Sequence, residues 1–472
     1  MAFLSGIGIE NFRVFKEYTE FDFAPLTLLT GANNSGKSSL IKALLLLAVN
    51  AENRNIERFT LNTELQSSVT KLGNFDSLAN NPEKPITFHL HFDNLYEILP
   101  RPVHIEEIAD IIFEKLAKHK TQITLKFNHV VKDNLVFFAY DIFVESQFIT
   151  LFSMTFNRSQ NTVETALNSK WIEKFINSII EKEAKDLYKI NKSKNQVREI
   201  DDSRIKDIYT IIELIFDDMT LGVRNQEKSK YRYLKILDAV FTKLVEIALD
   251  TIKFENKIDY LPAFRGNQDR FYSSDVNLPL NQLLKQFTDN RFTEESPEKK
   301  YINKWVVNLG IADKIDFIPH IGGTEVNITK NGKVLQVADI GYGMTQYLPI
   351  LLQIALTKAN YLLIEEAENS LHPNFQSQLA DLLIDAYSFL NKKTRFIVET
   401  HSEYLVRKLQ YLTVTKKIAV HDIAIYYFGL DGQVRRIDIQ EEDGELKQEF
   451  GKGFFDESAR WIGNIWKVAN LN

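Results

Sequence analysis

Along the first thirty residues apolar positions recur at strand spacing, and after Gly31 that pattern stops. Residues 7–15 and 18–23 predict a hairpin or two neighbouring strands, and residues 26–30 predict a short apolar strand running directly into Gly31. Residues 38–49 carry Leu and Ala on nearly every face, which predicts a buried helix. Alternation returns at Ile86, Phe88, Leu90 and Phe92, and residues 123–127, 135–143 and 148–156 read as further strands of one antiparallel sheet continuing the N-terminal one. Residues 105–118 have helical spacing.

The character then changes. Between residues 181 and 207, 15 of 27 positions are charged with both signs mixed, and helical segments flank them at 171–189 and 205–216. Residues 231–251 form another helix with Leu234, Leu237, Val240, Leu244, Ile247 and Leu249 on its apolar side. This middle region reads as a helical insertion with a solvated loop at 193–203. Beyond it come a strand at 258–262, a helix at 301–309, and a hairpin at 325–336 turning at Asn331-Gly332. Residues 346–358, 361–364, 375–389 and 395–399 then alternate helix, strand, helix, strand, the pattern of an α/β core with buried parallel strands. The expected division is an N-terminal part of a catalytic head (1–160), a mainly helical insertion (161–257), a C-terminal part of the head (258–420) and a short tail domain (421–472).

Composition narrows the class. The 472 residues are 44% apolar and 25% charged, as in soluble globular proteins. A formal net charge of -6 argues against a basic nucleic-acid coat, though not against a local basic groove. The absence of cysteine removes disulfides, thiolate metal sites and cysteine nucleophiles. The first residues lack the pattern of a signal peptide, and the longest apolar runs are too short for a membrane span, so no membrane role and a cytoplasmic location, where ATP is available, are expected.

Four stretches carry chemistry. Gly31-Ala32-Asn33-Asn34-Ser35-Gly36-Lys37-Ser38 fits G-x-x-x-x-G-K-[ST] in full, with a strand before it and a helix after it. Gly31 and Gly36 let the backbone curl until its N–H groups point at phosphates, and the helix N-terminus adds its dipole. Ala32, Asn33, Asn34, Ser35 and Ser39 complete the nucleotide-binding stretch. Lys37 reaches the outer phosphates, and the Ser38 hydroxyl is a Mg²⁺ ligand, so ATP and Mg²⁺ are the expected cofactors. The second stretch is the apolar strand 361–364 ending in Glu365 and Glu366. Glu365 is expected in the Mg²⁺ shell, directly or through water, and Glu366 as the group that orients or deprotonates the attacking water. The third, 396–402, places His401 after a strand, facing the γ-phosphate or that water; a lone histidine in a satisfied structural role is the alternative. The fourth, 339–346, sets Gly341, Gly343 and Thr345 directly before the helix expected to start near Gln346, an anion site or a plain capping turn.

Together these residues resemble the ABC-type ATPases that include RecF, the SMC heads and the overcoming-lysogenization-defect (OLD) ATPases. The resemblance implies an α/β, ABC/RecF-type P-loop ATPase head with an N-terminal antiparallel sheet and a helical insertion. It places Glu365 at the Walker B acid, Glu366 at the catalytic glutamate, residues 370–373 at the D-loop, His401 at the switch histidine, and residues 341–346 at the signature loop. The Leu-Ser-Gly-Gly-Gln string is absent, and Ala367 stands where proline is common. Residues 71–78 resemble the segment that follows the phosphate-loop helix, offering Asn74 or Asp76 rather than a Q-loop glutamine. Residues 260–272, with Arg265, and 451–456 resemble further blocks of the OLD-like subgroup.

The resemblance also implies partners: a homodimer or higher oligomer, and a separately encoded nuclease or toxin effector in antiphage defence. Glu441, Glu442, Asp443 and Glu445 lack the spacing of Toprim nuclease chemistry and read as a solvated turn. The competing reading is a RecF-like repair or maintenance ATPase acting directly on DNA.

Overall fold

A computed structural model describes residues 3–52, 78–93, 121–130, 133–144, 147–157, 162–168, 170–171, 258–390, 393–451 and 454–469. The helix expected at 105–118, residues 71–77, and residues 172–257 of the expected insertion lie outside the described residues. In chain order the strands are β1 (Phe3–Glu10), β2 (Thr19–Asp22), β3 (Leu26–Gly31), β4 (Ile86–Asp93), β5 (Thr121–Val130), β6 (Asp133–Val144), β7 (Gln147–Asn157) and β8 (Thr162–Leu167). Then follow β9 (Ile258–Leu261), β10 (Tyr272–Ser273), β11 (Lys314–His320), β12 (Gly323–Lys330), β13 (Lys333–Gln336), β14 (Tyr361–Ile364), β15 (Arg395–Glu399), β16 (Ile423–Phe428) and β17 (Val434–Ile437). The helices used below are α1 (Lys37–Glu52), α2 (Pro279–Asp289), α3 (Pro297–Asn308), α4 (Tyr342–Leu356), α5 (Pro373–Phe389), α6 (Glu403–Val414) and α7 (Glu457–Ala469).

The chain divides into two compact units. In the first, β1, β4, β5, β6, β7 and β8 pair successively antiparallel, so the strand alternation read from Ile86 to Phe92 corresponds to a real pleat. β8 extends this sheet into residues expected to open the helical insertion. Asp141, buried on β6, is satisfied by its neighbours: one carboxylate oxygen accepts from Thr124 Oγ1 at 2.8 Å and Gln122 Nε2 at 3.2 Å, the other from Thr150 Oγ1 at 2.6 Å.

The second unit is an α/β core. Its six-stranded sheet has the order β17-β16-β3-β15-β14-β9, parallel except for β17 at one edge. β3, β14 and β16 are buried at every position, as expected for parallel strands covered on both faces. The segment from residue 421, expected as part of a tail domain, supplies β16 to the sheet interior beside β3. β2 packs there too: the Phe21 ring stands 5.2 Å from Tyr426, and the Tyr426 hydroxyl accepts from Asp22 N at 2.6 Å.

α4 packs on α2 and α3, and α5 on α6. The hairpin β12–β13 turns at Asn331 (φ 52°) and Gly332 (φ 73°), the paired positive φ values of a type I′ turn. α4 starts at Tyr342 rather than near Gln346. Gly341, at φ 117°, makes the turn into it, so Gly343 and Thr345 lie inside the first helical turn and not in a loop before it.

Candidate functional site

Gly31 closes β3 under the backbone of β16. A Cβ there would stand 2.2 Å from the Phe428 carbonyl oxygen, and φ is 133°, so only glycine fits. Ala32 N donates to that same oxygen at 3.2 Å, which pins the start of the loop. A Cβ on Gly36 (φ 115°) would meet Val14 Cγ2 at 2.4 Å. Between these fixed points the loop curls around Lys37, whose ammonium donates to Ala32 O at 2.6 Å and Gly31 O at 3.2 Å. Burial lowers the Lys37 pKa, against the opposing pull of Glu399, Glu366 and Glu368.

A cavity of about 570 Å³ opens beside the loop, within the roughly 300–1,000 Å³ usual for small-molecule sites. Residues 33–39 line it together with Arg13, Val14, Lys42, Glu366, Glu399 and His401. Lys37, Ser38, Glu366 and His401 thus face one space although they are distant in sequence. Four cationic or convertible side chains (Arg13, Lys37, Lys42, His401) beside curled backbone suit a polyphosphate.

Glu366 is exposed and has φ 43°, a left-handed backbone that costs a non-glycine residue about 1–3 kcal/mol and is typical of functional sites. Fully buried Arg265 holds the turn, with Nη2 donating to the carbonyl oxygens of both Glu365 and Glu366. Burial lowers the Arg265 pKa to about 10, opposed by Glu368, Glu366 and Glu365. His401 is fixed through its backbone: its N–H donates to Glu368 Oε1 at 2.6 Å, and Thr400 Oγ1 donates to Glu368 Oε2 at 2.6 Å. Both oxygens of Glu368 are therefore committed to positioning the histidine turn. Burial and then Lys37 lower the His401 pKa, which favours the neutral ring at neutral pH.

Two expectations meet a different geometry. Glu365 is not among the cavity-lining residues; burial, and then the neighbouring Glu365 charge, push the Tyr260 pKa up. Glu399 stands beside Ser38 instead, accepting from Oγ at 3.2 and 3.4 Å, with Lys37 Nζ at 3.9 Å. Strand order accounts for this, because β15 lies between β3 and β14 and so ends beside the strand that carries the loop. Burial pushes the Glu399 pKa up to about 7, opposed by Lys37 and the Ser38 hydrogen bond and helped by Glu365 and Glu366.

Gly341, Gly343 and Thr345 do not line the cavity either. Thr345 is fully buried and its hydroxyl donates to Tyr342 O at 2.7 Å, so the donors left at this turn are backbone N–H groups. Gly343 abuts the residues that follow the paired acids, where its Cβ would stand 3.1 Å from Ser370 O. Sequence reasoning did not single out Arg13, Lys42 or Glu399. The last had a visible signal, an acid closing an apolar strand two residues before His401.

A protein family described as AAA ATPase domain matches residues 3–406. No curated protein matches the chain. Similar solved structures include an Smc head domain with an extended coiled coil bound to the C-terminal domain of ScpA, from Pyrococcus furiosus. It is 12% identical over 98% of this chain and 100% of that one, with a TM-score of 0.39. The SMC head domain from Thermotoga maritima is 11% identical over 93% and 99%, with a TM-score of 0.37.

Proposed function

This chain belongs to the AAA ATPase domain family, and on that premise we propose that it is a Mg²⁺-dependent ATP hydrolase whose ATP-bound dimer controls a separate protein. The observation that carries the hydrolysis reading is the convergence of Lys37, Ser38, Glu366 and His401 on one cavity. Residues 31–39 hold the phosphates through backbone N–H groups, and Lys37 adds a fixed positive charge at the outer ones. Glu366 accepts the proton of the attacking water, and His401 contacts the γ-phosphate side. The Ser38 hydroxyl and the carboxylates beside it would hold Mg²⁺, hard-oxygen chemistry that suits the ion, and the ion would supply neutralisation of the phosphate charge.

The dimer follows from what one chain lacks. None of the residues lining the cavity belongs to the Gly341 turn, while that turn presents backbone donors at the start of a long apolar helix. A second copy placed head to tail would bring its Gly341–Gly343 donors to the far side of the γ-phosphate, and a two-fold axis makes the exchange mutual. A protein partner is supported by α7, where Trp461, Ile462, Ile465 and Trp466 are all more than half exposed along one face. An effector nuclease or toxin in antiphage defence is the setting that the OLD-like resemblance favours.

The test is phosphate release from ATP by the purified chain with Mg²⁺ and with chelator. Lys37→Ala should cut Mg²⁺-dependent turnover by about 10²–10³-fold or more, since the phosphates lose their main cation. Turnover unchanged in Lys37→Ala, or equal with and without Mg²⁺, would overturn the reading.

A further inference from the structure

We propose that Arg265 is a positioning residue for hydrolysis, holding from below the backbone turn that aims the Glu366 carboxylate into the cavity. The inference rests on the ATPase reading above and adds to it the group that sets the direction of the water-activating acid. The need comes from Glu366 itself. Its side chain lines the cavity and accepts no hydrogen bond among the described residues, so its backbone decides where it points. That backbone is left-handed, at φ 43°, a conformation that persists only where neighbours over-determine it. Within the turn, Asn369 N donates to Glu366 O at 2.9 Å and Ala367 N to Glu399 O at 3.1 Å. From outside the turn, Arg265 Nη2 donates to Glu365 O and, at 2.9 Å, to Glu366 O. Arg265 does not line the cavity, and its Nε and Nη1, equally buried, have no hydrogen-bond partner among the described residues. A buried guanidinium is costly, and the hydrogen bonds of this one go to nothing but the acid turn.

The guanidinium reaches the turn from a fixed base. Arg265 O accepts from Leu280 N at 2.8 Å, at the start of α2. The next residue, Gly266, lies so close to that helix that a Cβ would stand 2.8 Å from Leu280 Cβ. Gly266 O in turn accepts at 3.2 Å from Nε2 of buried Gln346, near the start of α4. Two helices therefore fix the backbone from which Arg265 extends. Its chemistry also suits the task better than lysine's would. A guanidinium nitrogen holds its two N–H bonds in one plane and can serve two carbonyls in fixed directions, whereas an ammonium on a flexible stem brings the charge without the direction.

The experiment measures kcat for ATP and the Kd of a fluorescent ATP analogue, with Mg²⁺, in the parent, Arg265→Lys, Glu366→Gln and the double variant. Arg265→Lys should lose about 10–100-fold in kcat, the scale of a catalytic group misplaced by about 1 Å, while the analogue's Kd stays within about threefold of the parent's. In the Glu366→Gln background the same substitution should cost less than about twofold, because the carboxylate it positions is already gone. The same loss in both backgrounds would show that Arg265 acts independently of Glu366 and overturns the proposal. Parent-like kcat in Arg265→Lys, or a loss that lies wholly in the analogue's Kd, overturns it as well. A parent that neither binds the analogue nor hydrolyses ATP overturns the ATPase reading itself. Should Arg265→Lys not fold, the parent crystallised with Mg²⁺ and a non-hydrolysable ATP analogue decides. Nη2 must still bond both carbonyls with the Glu366 carboxylate facing the γ-phosphate, and an acid turn that Arg265 has released in that complex refutes the assignment.

Discussion

The phosphate loop and the turn before α4 are both glycine-bearing entries into apolar helices, yet they are built in opposite ways. Gly31 and Gly36 are glycines because Phe428 and Val14 leave no room for a side chain, and the loop folds inward on Lys37. Gly341 has nothing within 4 Å of where a Cβ would stand, and the polar side chains after it turn away: Thr345 bonds Tyr342 O and buried Gln346 bonds Gly266 O. One is a walled cradle completed by its own chain. The other is an open face whose unused donors are backbone. The contrast teaches that a helix N-terminus is a site only when something encloses it, and that an open one implies an enclosure from elsewhere.

Four measurements would break or sharpen that comparison. The largest effect is expected from Glu366→Gln, which leaves the cradle whole. Turnover should fall about 10²–10⁴-fold while ATP still binds, as the base is lost and the shape kept. Parent-like turnover would remove Glu366 from the reaction. Glu368 is a poor substitute for it, since both its oxygens are engaged at Thr400 and His401.

Next comes a pair of alanine substitutions. Gly31→Ala meets both a 2.2 Å clash with backbone and a forbidden φ, and should destabilise by more than the roughly 1–3 kcal/mol of backbone strain alone. Gly341→Ala meets only the strain, so its loss should stay within that range. Equal losses on urea denaturation would mean the two loops are not walled differently.

A third test reads the open face. Gly343→Arg should leave nucleotide binding by the single chain intact. It should abolish the ATP-dependent dimer that Glu366→Gln otherwise accumulates, measured by sedimentation of the double variant. A dimer that persists would confine the α4 turn to its own chain.

The smallest effect is a pH dependence of stability. Burial pushes the Glu399 pKa up to about 7 in the folded, nucleotide-free chain, above the ordinary carboxylate value of 4.5, so the fold favours the protonated form. Stability from this group is therefore full below about 4.5 and is lost as pH rises toward about 7, because the unfolded chain releases its proton first. The melting temperature should drop by a few degrees across that window, and Glu399→Gln should flatten part of the slope. An unchanged slope would show that Glu399 is ionised throughout.

How much of this could be read from residues alone follows from how local each feature is. The phosphate loop, Glu366 and the Asn331-Gly332 hairpin are short patterns carried by neighbours in sequence; the structure sets the loop and Glu366 on one cavity and turns the hairpin at Asn331-Gly332, while Glu365 does not line that cavity. Glu399 was overlooked because an acid closing an apolar strand looks like a strand surfacing into water. Only the order β3-β15-β14, a long-range property, shows that it surfaces beside Ser38. The start of α4 was placed too late because glycine and threonine are weak helix formers, while Gly341's positive φ lets the helix begin right after it. Arg265 belonged to a recognisable block, but its grip on the Glu365 and Glu366 carbonyls depends on burial that no spacing reveals.

The placement of β3 has a consequence for how the chain is made. Leu26 is paired on one side with Phe396 and on the other with Ile423, so the strand carrying the phosphate loop has no neighbours in its sheet until those residues emerge from the ribosome. At roughly 5–20 residues per second that interval lasts on the order of tens of seconds. For that time an apolar strand and the leucine-rich α1 stay without their final partners, and closing so long a loop is a slow, entropically opposed step. The nascent chain should therefore depend on a chaperone that shields its first fifty residues, and nucleotide can help fold it only after residue 428 has been delivered.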